Sequence, residues 1–336
     1  MTGNSMPDPN NFKLVKDHGR KEILLSIARV ANSSRVLCGA SDGKIYDFDA
    51  LAEKPEYKTL EGHESYVTGL AVFGETLVSG SYDGKLIWWN LATGEQIRKV
   101  DAHAKWIRKL AVSPDGKTLA SVADDMVCRL WKFDSGEKLH ELKGHAERTP
   151  THFPSMLYAC AFSADSQRLA TVDRVAKDIV WDVSSGAKLS EVEAPILYTW
   201  DPTQRIHSIG GARSVAFSPD GKLLAIGGMG KVGNIDHLEG KSHVEIFDWE
   251  KKERTHEYSL DGHKGLVEQL LFAPSGKWAV ALGGDNGGFV QFLDLESKKP
   301  IKQEKVGAHV HAAVFDETCD KIFAAAHGKV FVWSLA

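Results

Sequence analysis

The sequence has few features of a secreted, membrane-spanning or metal-binding protein. Its four cysteines form no CxxC pair and no zinc-type spacing, so we expect buried thiols in a reducing cytoplasm. No apolar run approaches the ~18–20 residues that span a bilayer. The first residues lack the basic and apolar regions of a signal peptide. We therefore expect residues 1–11 to be a disordered tail and the protein to be cytoplasmic.

An excess of positive charge is also missing. The chain carries 41 Lys and Arg against 45 Asp and Glu, a formal net charge of −4. A general surface for nucleic acid or anionic membrane needs a basic field, so this balance disfavours both partners. A local basic patch is compatible with it.

The hydrophobic pattern of the sequence shows no amphipathic helix of convincing length, and it indicates short apolar strands separated by turns. The inner strands, such as Leu70–Val72 and Val215–Phe217, are small, apolar and β-prone. Turns of the type Pro114-Asp115-Gly116 place proline where φ is preset and glycine where φ is positive. The chain is therefore predicted to be all-β.

A repeat organises these strands. Each unit begins at or near Gly-His and ends near Trp-Asp, with marker histidines at His18, His63, His103, His145, His263 and His309. Their spacings include 45, 40, 42 and 46 residues, which are typical of a propeller built from such units. The 118 residues between His145 and His263 leave room for two units plus insertions.

The sequence resembles the WD40-repeat β-propeller family over about residues 12–336. The resemblance implies one domain, a seven-bladed β-propeller with four-stranded antiparallel blades. The last repeat, from His309, supplies only three strands, whereas Phe12–Val15 is a spare strand before the first marker. We expect this N-terminal strand to pair with Lys329–Leu335, complete the last blade and close the ring, because an open ring would leave a free sheet edge.

In this family a buried tetrad links the His of the turn, a Ser or Thr, an Asp and a Trp. The motif assigns structural tetrads to the second and third blades: His63, Ser79, Asp83, Trp89, and His103, Ser121, Asp125, Trp131. The fourth blade keeps His145, Thr171 and Trp181 but has Val175 in place of the Asp. The first blade has His18 and Asp42, with Cys38 and Phe48 in the other two positions. The Ser/His/Asp trio repeats at the same offsets, so it indicates a structural device and not a catalytic triad.

Three insertions fall in turns that the resemblance places on one face of the ring, the top face. They span 146–155 before the inner strand of blade four, 194–211 before that of blade five, and 229–243 within blade five. Long loops on a rigid scaffold often carry function, and Trp, Tyr and Arg are frequent in binding hot spots. The predicted partner-binding residues are Trp106, Arg148, His152, Phe153, Tyr198, Trp200, Arg205, His207 and His237. The alternative for Phe153, Leu197 and Tyr198 is that they fold down and cap the channel.

These patterns favour a protein or peptide scaffold that is not an enzyme, has no cofactor and is a monomer. The alternative is a small-molecule or metal-dependent enzyme with its site at the channel mouth. His309 and His311 share a strand face, but a metal site needs a third ligand.

Overall fold

The computed structural model describes residues 7–203, 207–233 and 240–336, excepting the side chains of His207 and Asp261. Two 3₁₀ turns, Pro9–Asn11 and Pro195–Leu197, are the helical elements of this described part. All other regular structure is β. None of the described helices is long and apolar enough to cross a membrane.

The closing sheet contains the first and last strands of the chain, in the order β26-β27-β1-β2-β3-β4. Its strands are β1 (Lys13–Arg29), β2 (Arg35–Ala40), β3 (Lys44–Asp49), β4 (Lys58–Glu61), β26 (Val310–Phe315) and β27 (Lys321–Ser334).

Sheets 2, 3 and 4 are four-stranded and antiparallel. Sheet 2 contains β5 (Val67–Phe73), β6 (Thr76–Ser81), β7 (Lys85–Asn90) and β8 (Gln96–Asp101). Sheet 3 contains β9 (Ile107–Val112), β10 (Thr118–Ala123), β11 (Cys128–Lys132) and β12 (Lys138–Leu142). Sheet 4 contains β13 (Leu157–Phe162), β14 (Arg168–Asp173), β15 (Lys177–Asp182) and β16 (Lys188–Glu193).

Sheet 5 has a fifth strand, which the second insertion supplies, and sheet 6 has four. Sheet 5 contains β17 (Tyr198–Asp201), β18 (His207–Phe217), β19 (Leu223–Met229), β20 (Lys241–Asp248) and β21 (Glu253–Lys264). Sheet 6 contains β22 (Leu266–Phe272), β23 (Trp278–Gly284), β24 (Gly288–Asp294) and β25 (Pro300–Lys305).

The sheets form a closed ring, which confirms a β-propeller with antiparallel four-stranded units. The first strand of each repeat contacts the next in the cyclic order β1, β5, β9, β13, β18, β22, β26 and back to β1. Each pair of neighbouring sheets encloses its own apolar cluster; Trp88, Ile107 and Trp131, for example, pack between sheets 2 and 3. The core is therefore distributed around the ring, and the inner strands line a central channel.

The prediction of seven separate sheets is wrong, since the described residues form six hydrogen-bonded sheets. The difference lies in the closing sheet, where β1 is continuous. Its first half pairs with the second half of β27, from Lys13 opposite Ser334 to Gly19 opposite Lys329. Its second half pairs with β2. One strand thereby joins the strands that the sequence assigned to the first and last blades.

The predicted pairing of the N-terminal strand with the last strand is present. Leu14 lies opposite Trp333, and the Lys329 ammonium is 3.0 Å from the Asp17 carboxylate. Residues 7–11 are the described part of the predicted N-terminal tail. The Asp8 amide donates to the Leu335 carbonyl at 3.0 Å, and Pro9–Asn11 forms a 3₁₀ turn.

Candidate functional site

The tetrads define the top face of the ring and hold its turns rigid. In sheet 2 the Trp89 indole N–H donates to Ser79 Oγ at 2.8 Å, and Ser79 lies 2.8 Å from His63 Nε2. His63 Nδ1 lies 2.9 Å from Asp83. Since His63 precedes β5 and Asp83 follows β6, the turns before the first strand and after the second strand share one face.

The electrostatics of the tetrad favour an ionised aspartate beside an oriented imidazole. Burial of the Asp83 carboxyl acts to raise its pKa, but hydrogen bonds from His63 and from the Glu64 amide outweigh this and lower the pKa to about 2. His63 bridges the two groups, with Nδ1 facing the Asp83 carboxylate and Nε2 facing the Ser79 hydroxyl. Every polar atom of the chain from indole to carboxylate thus has a partner.

Sheet 3 carries the same arrangement. His103 lies 3.1 Å from Asp125 and 2.7 Å from Ser121, and Trp131 donates to Ser121 at 3.0 Å. Arg129 adds an ion pair to Asp125 at 2.8 Å. The polar chain therefore repeats at the same place in two neighbouring sheets, as expected of a structural element.

Sheet 4 also has a complete tetrad, which corrects the prediction that its aspartate is missing. His145 lies 3.0 Å from Asp173 and 2.8 Å from Thr171, and Trp181 donates to Thr171 at 2.8 Å. Asp173 is the last residue of β14, two positions before Val175. It stands two residues after Thr171, whereas Asp83 and Asp125 stand four residues after their serines, so the repeat offset did not identify it.

The first repeat does not assemble a tetrad. The His18 ring bonds to the Ala50 carbonyl at 2.9 Å and packs edge-on against Phe48. Asp42 instead accepts from the Tyr46 hydroxyl at 2.6 Å. A buried histidine here bonds to backbone, so the correspondence of His18 with Asp42 was wrong.

The top-face insertions of sheets 4 and 5 meet. Residues 146–155 form a small hairpin, in which Arg148 donates to the His152 carbonyl at 2.7 Å. The Phe153 ring packs against Trp200 with centroids 5.6 Å apart. Thr151 hydroxyl lies 3.2 Å from the Tyr198 hydroxyl. The two loops therefore support each other.

The predicted partner-binding residues differ in exposure. Arg148 and His152 are exposed, whereas Phe153, Tyr198 and Trp200 are half-buried, and Leu197 is buried as a cap would be. A cavity of about 470 Å³ lies beside them. Its lining includes Arg148, Lys177, Glu193 and Tyr198. Arg205, His237 and the His207 side chain lie outside the described residues.

Trp106 occupies a separate part of the top face, between sheets 2 and 3. It is 50% exposed, and its ring stacks on Tyr82 at 4.5 Å with an interplanar angle of 3°. Tyr66, 43% exposed, also contacts Tyr82, with ring centroids 5.5 Å apart. We call Tyr66, Tyr82 and Trp106 the aromatic ledge.

A ring of side chains at the channel mouth was missed from the sequence. In each of the seven inner strands of the described part, the pairing register skips one residue near the top, which is a β-bulge. The skipped residues line one cavity of about 200 Å³, together with Tyr82 and Lys109. We call them the bulge ring: Leu25, Thr68, Arg108, Tyr158, Arg213, Glu268 and His311.

The histidines near this mouth stack without assembling a metal site. The His309 and His311 rings are 4.4 Å apart, and His309 Nε2 is 3.6 Å from Glu268. Burial, and then the neighbouring His309, lower the pKa of His311 to about 4. No group of three or more His, Cys, Asp or Glu side chains among the described residues is placed to hold a metal ion.

Comparison with known proteins agrees with this architecture. Residues 54–90, 94–132 and 202–232 match the family described as "WD domain, G-beta repeat". The chain is 24% identical over 288 residues to the guanine nucleotide-binding protein subunit beta of Oryza sativa subsp. indica, covering 82% of this chain and 70% of that protein. It is 24% identical over 277 residues to the small ribosomal subunit protein RACK1 of Schizosaccharomyces pombe, covering 73% and 83%.

A further relative is much longer than this chain. Apoptotic protease-activating factor 1 of Rattus norvegicus is 30% identical over 221 residues, which cover 66% of this chain and 17% of that protein. The chain therefore spans less than a fifth of that relative's length.

Proposed function

Since the chain is a WD40-repeat β-propeller, we propose that it is an interaction scaffold that binds a protein or peptide on its top face. Residues 12–336 act as one domain and one rigid platform. The work of such a protein is positioning, without bond chemistry. The proposed location is a reducing cytoplasm, since all four cysteines are free and buried.

The observation that carries the proposal is the contact between the insertions of sheets 4 and 5. The tilted ring contact between Phe153 and Trp200 joins two loops that differ from the short turns of the other repeats. The cavity beside them offers cationic, anionic and phenolic groups within one recess. Pre-formed recesses with a few convergent polar groups are typical binding sites, and pre-organised loops reduce the entropy lost on binding.

One further detail favours a docking role for these loops. Ser155 Oγ is buried without a hydrogen-bond partner in the described part of the chain. A bound backbone amide or carbonyl would satisfy that hydroxyl.

The test compares partner capture by the wild-type protein with capture by the double variant Arg148→Ala, Trp200→Ala. A matched control is Lys251→Ala, Phe73→Ala, which removes one exposed cation and one exposed aromatic ring outside these loops. Proteins that the wild type recovers in quantitative mass spectrometry should be depleted at least about tenfold with the first variant, the effect of losing ~1.4 kcal/mol. Equal recovery by the wild type and the loop variant would reject docking at sheets 4 and 5.

A further inference from the structure

The bulge ring places unlike side chains at one repeated position. A bulge turns the extra residue out of the regular alternation, and here it aims each one at the channel mouth. The position holds one aliphatic, one hydroxyl, two arginines, a tyrosine, a glutamate and a histidine. Small apolar residues would suffice to pack a channel, so this composition indicates a chemical role.

Positive charge exceeds negative charge at the mouth. Arg108 is satisfied by Asp124, which accepts two hydrogen bonds of 2.7 Å from its guanidinium. Among the described residues, neither Lys109 nor Arg213 forms an ion pair. The Lys109 ammonium donates to the Gln269 side-chain carbonyl at 2.9 Å. Arg213 donates to the Ala212 carbonyl at 3.0 Å.

The protein groups around Lys109 and Arg213 replace only part of the hydration that each cation would have in water. Lys109 is half-buried, and burial lowers the pKa of its ammonium. The Arg213 guanidinium lies over the Tyr158 ring, 3.7 Å from its centroid, in a cation–π contact. Glu268 is the carboxylate of the lining, and it lies near His309. A second anion would therefore improve the charge balance of this cavity.

Donor groups for such an anion are also available. His311 Nε2 is buried and has no hydrogen-bond partner among the described residues. Ammonium, guanidinium and imidazole groups bind a carboxylate through short, charge-assisted hydrogen bonds. The cavity of about 200 Å³ admits one side chain and no folded segment.

We propose that the bulge ring accepts one aspartate or glutamate side chain of the partner, with Lys109 and Arg213 as its counter-charges and the aromatic ledge as the platform for the flanking residues. The proposal rests on top-face docking and specifies its chemistry. Trp106 and Tyr66 supply exposed aromatic area next to the mouth, and aromatic anchors beside a desolvated charge pair are typical of binding hot spots. The overall charge of −4 favours a protein segment over a nucleic acid.

The experiment selects random displayed dodecapeptides on the full-length protein and measures synthetic copies by calorimetry. We expect the enriched peptides to share one acidic position. Replacing that Glu by Gln, or Asp by Asn, should weaken binding to the wild type at least about tenfold, or ~1.4 kcal/mol. In Lys109→Met and in Arg213→Met the same replacement should weaken binding less than in the wild type, because the charge it removes has lost one of its two partners. In the double variant it should change Kd less than about threefold.

A matched control is Lys277→Met, an exposed lysine in the turn between β22 and β23. It should keep the full tenfold discrimination. Thermal melts of each variant identify any that do not fold, and the two channel variants test the same prediction independently.

The other outcomes each decide a point. If the loss of affinity on Glu-to-Gln replacement is undiminished in both channel variants, the carboxylate subsite is overturned. In that case, loss of peptide binding by Arg148→Ala, Trp200→Ala would still support the docking face. Failure to enrich any peptide overturns both. Tight binding of sodium glutarate alone, or of a thymidine dodecanucleotide that depends on Lys109, overturns the choice of a protein partner.

Discussion

Asp178 provides a sharp test of how burial controls stability in this ring. It lies on β15 opposite Val172 of β14 and Val192 of β16, and its side chain is fully buried. Neither carboxylate oxygen has a hydrogen-bond partner in the described part of the chain. Burial, and then the charge of nearby Asp173, raise the pKa of the Asp178 carboxyl well above its ordinary value.

The sign of the effect follows from proton linkage. In the unfolded chain an aspartate titrates near a pKa of ~3.9. Because the folded state holds the proton to higher pH, the contribution of Asp178 to the free energy of unfolding is fully present below pH ~4. It then declines by about 1.4 kcal/mol per pH unit until the pH passes the folded-state pKa. Asp178→Asn removes the titration while keeping the shape of the side chain.

The assay is urea denaturation of the wild type and Asp178→Asn at half-unit steps from pH 4 to 7.5. The stability of the variant relative to the wild type should rise by about 1.4 kcal/mol per pH unit before it levels off. Asp182→Asn is the control, since hydrogen bonds from Ser184 and Ser185 lower the pKa of Asp182 to about 2 and its titration falls outside this range. A flat difference between Asp178→Asn and wild type would refute the assigned burial of an unpaired carboxyl.

Three further perturbations test the tetrad, the packing of sheet 6 and the closure. Ser79→Ala removes the shared partner of a buried indole and an imidazole, so chemical denaturation should show a loss of about 1–3 kcal/mol, while exposed Ser275→Ala should change stability by less than about 0.5 kcal/mol. Gly283→Ala places a methyl group against a backbone carbonyl of β22 and should lower the melting temperature. Gly307→Ala is the control, since its methyl group meets no atom. Equal melting temperatures of the two variants would contradict the close approach of β22 and β23. Deletion of residues 1–19 removes the strand half paired to β27 and should give a less cooperative, lower melt, and an unchanged melt would show that the ring does not depend on this pairing.

The parts of the fold that depend on local pattern could be predicted from the sequence. His63, Ser79, Asp83 and Trp89 sit at fixed offsets inside one repeat, and each contact of their tetrad lies within that repeat. The N-terminal strand could also be assigned, because the last repeat lacks a strand and the ring must close.

The parts of the fold and the site that depend on pairing across the molecule could not be predicted from the sequence. Whether β1 breaks between two sheets or continues through both is decided by its two partners, and residue type does not show it. The aspartate of sheet 4 depends on where β14 ends. The bulge ring depends on register, so Arg213 in an inner strand looks like an isolated cation until its neighbours in the other strands are known.

The closing pair of strands also determines how the protein transmits force. Lys13 lies opposite Ser334, so polypeptide attached before the one and after the other leaves the sheet from adjacent points. Tension between two such attachments would separate β1 from β27 starting at this end, so that their hydrogen bonds are loaded one after another instead of all together. A ring that is stable in solution would then open under a small mechanical load applied at this seam, with its other sheets still intact.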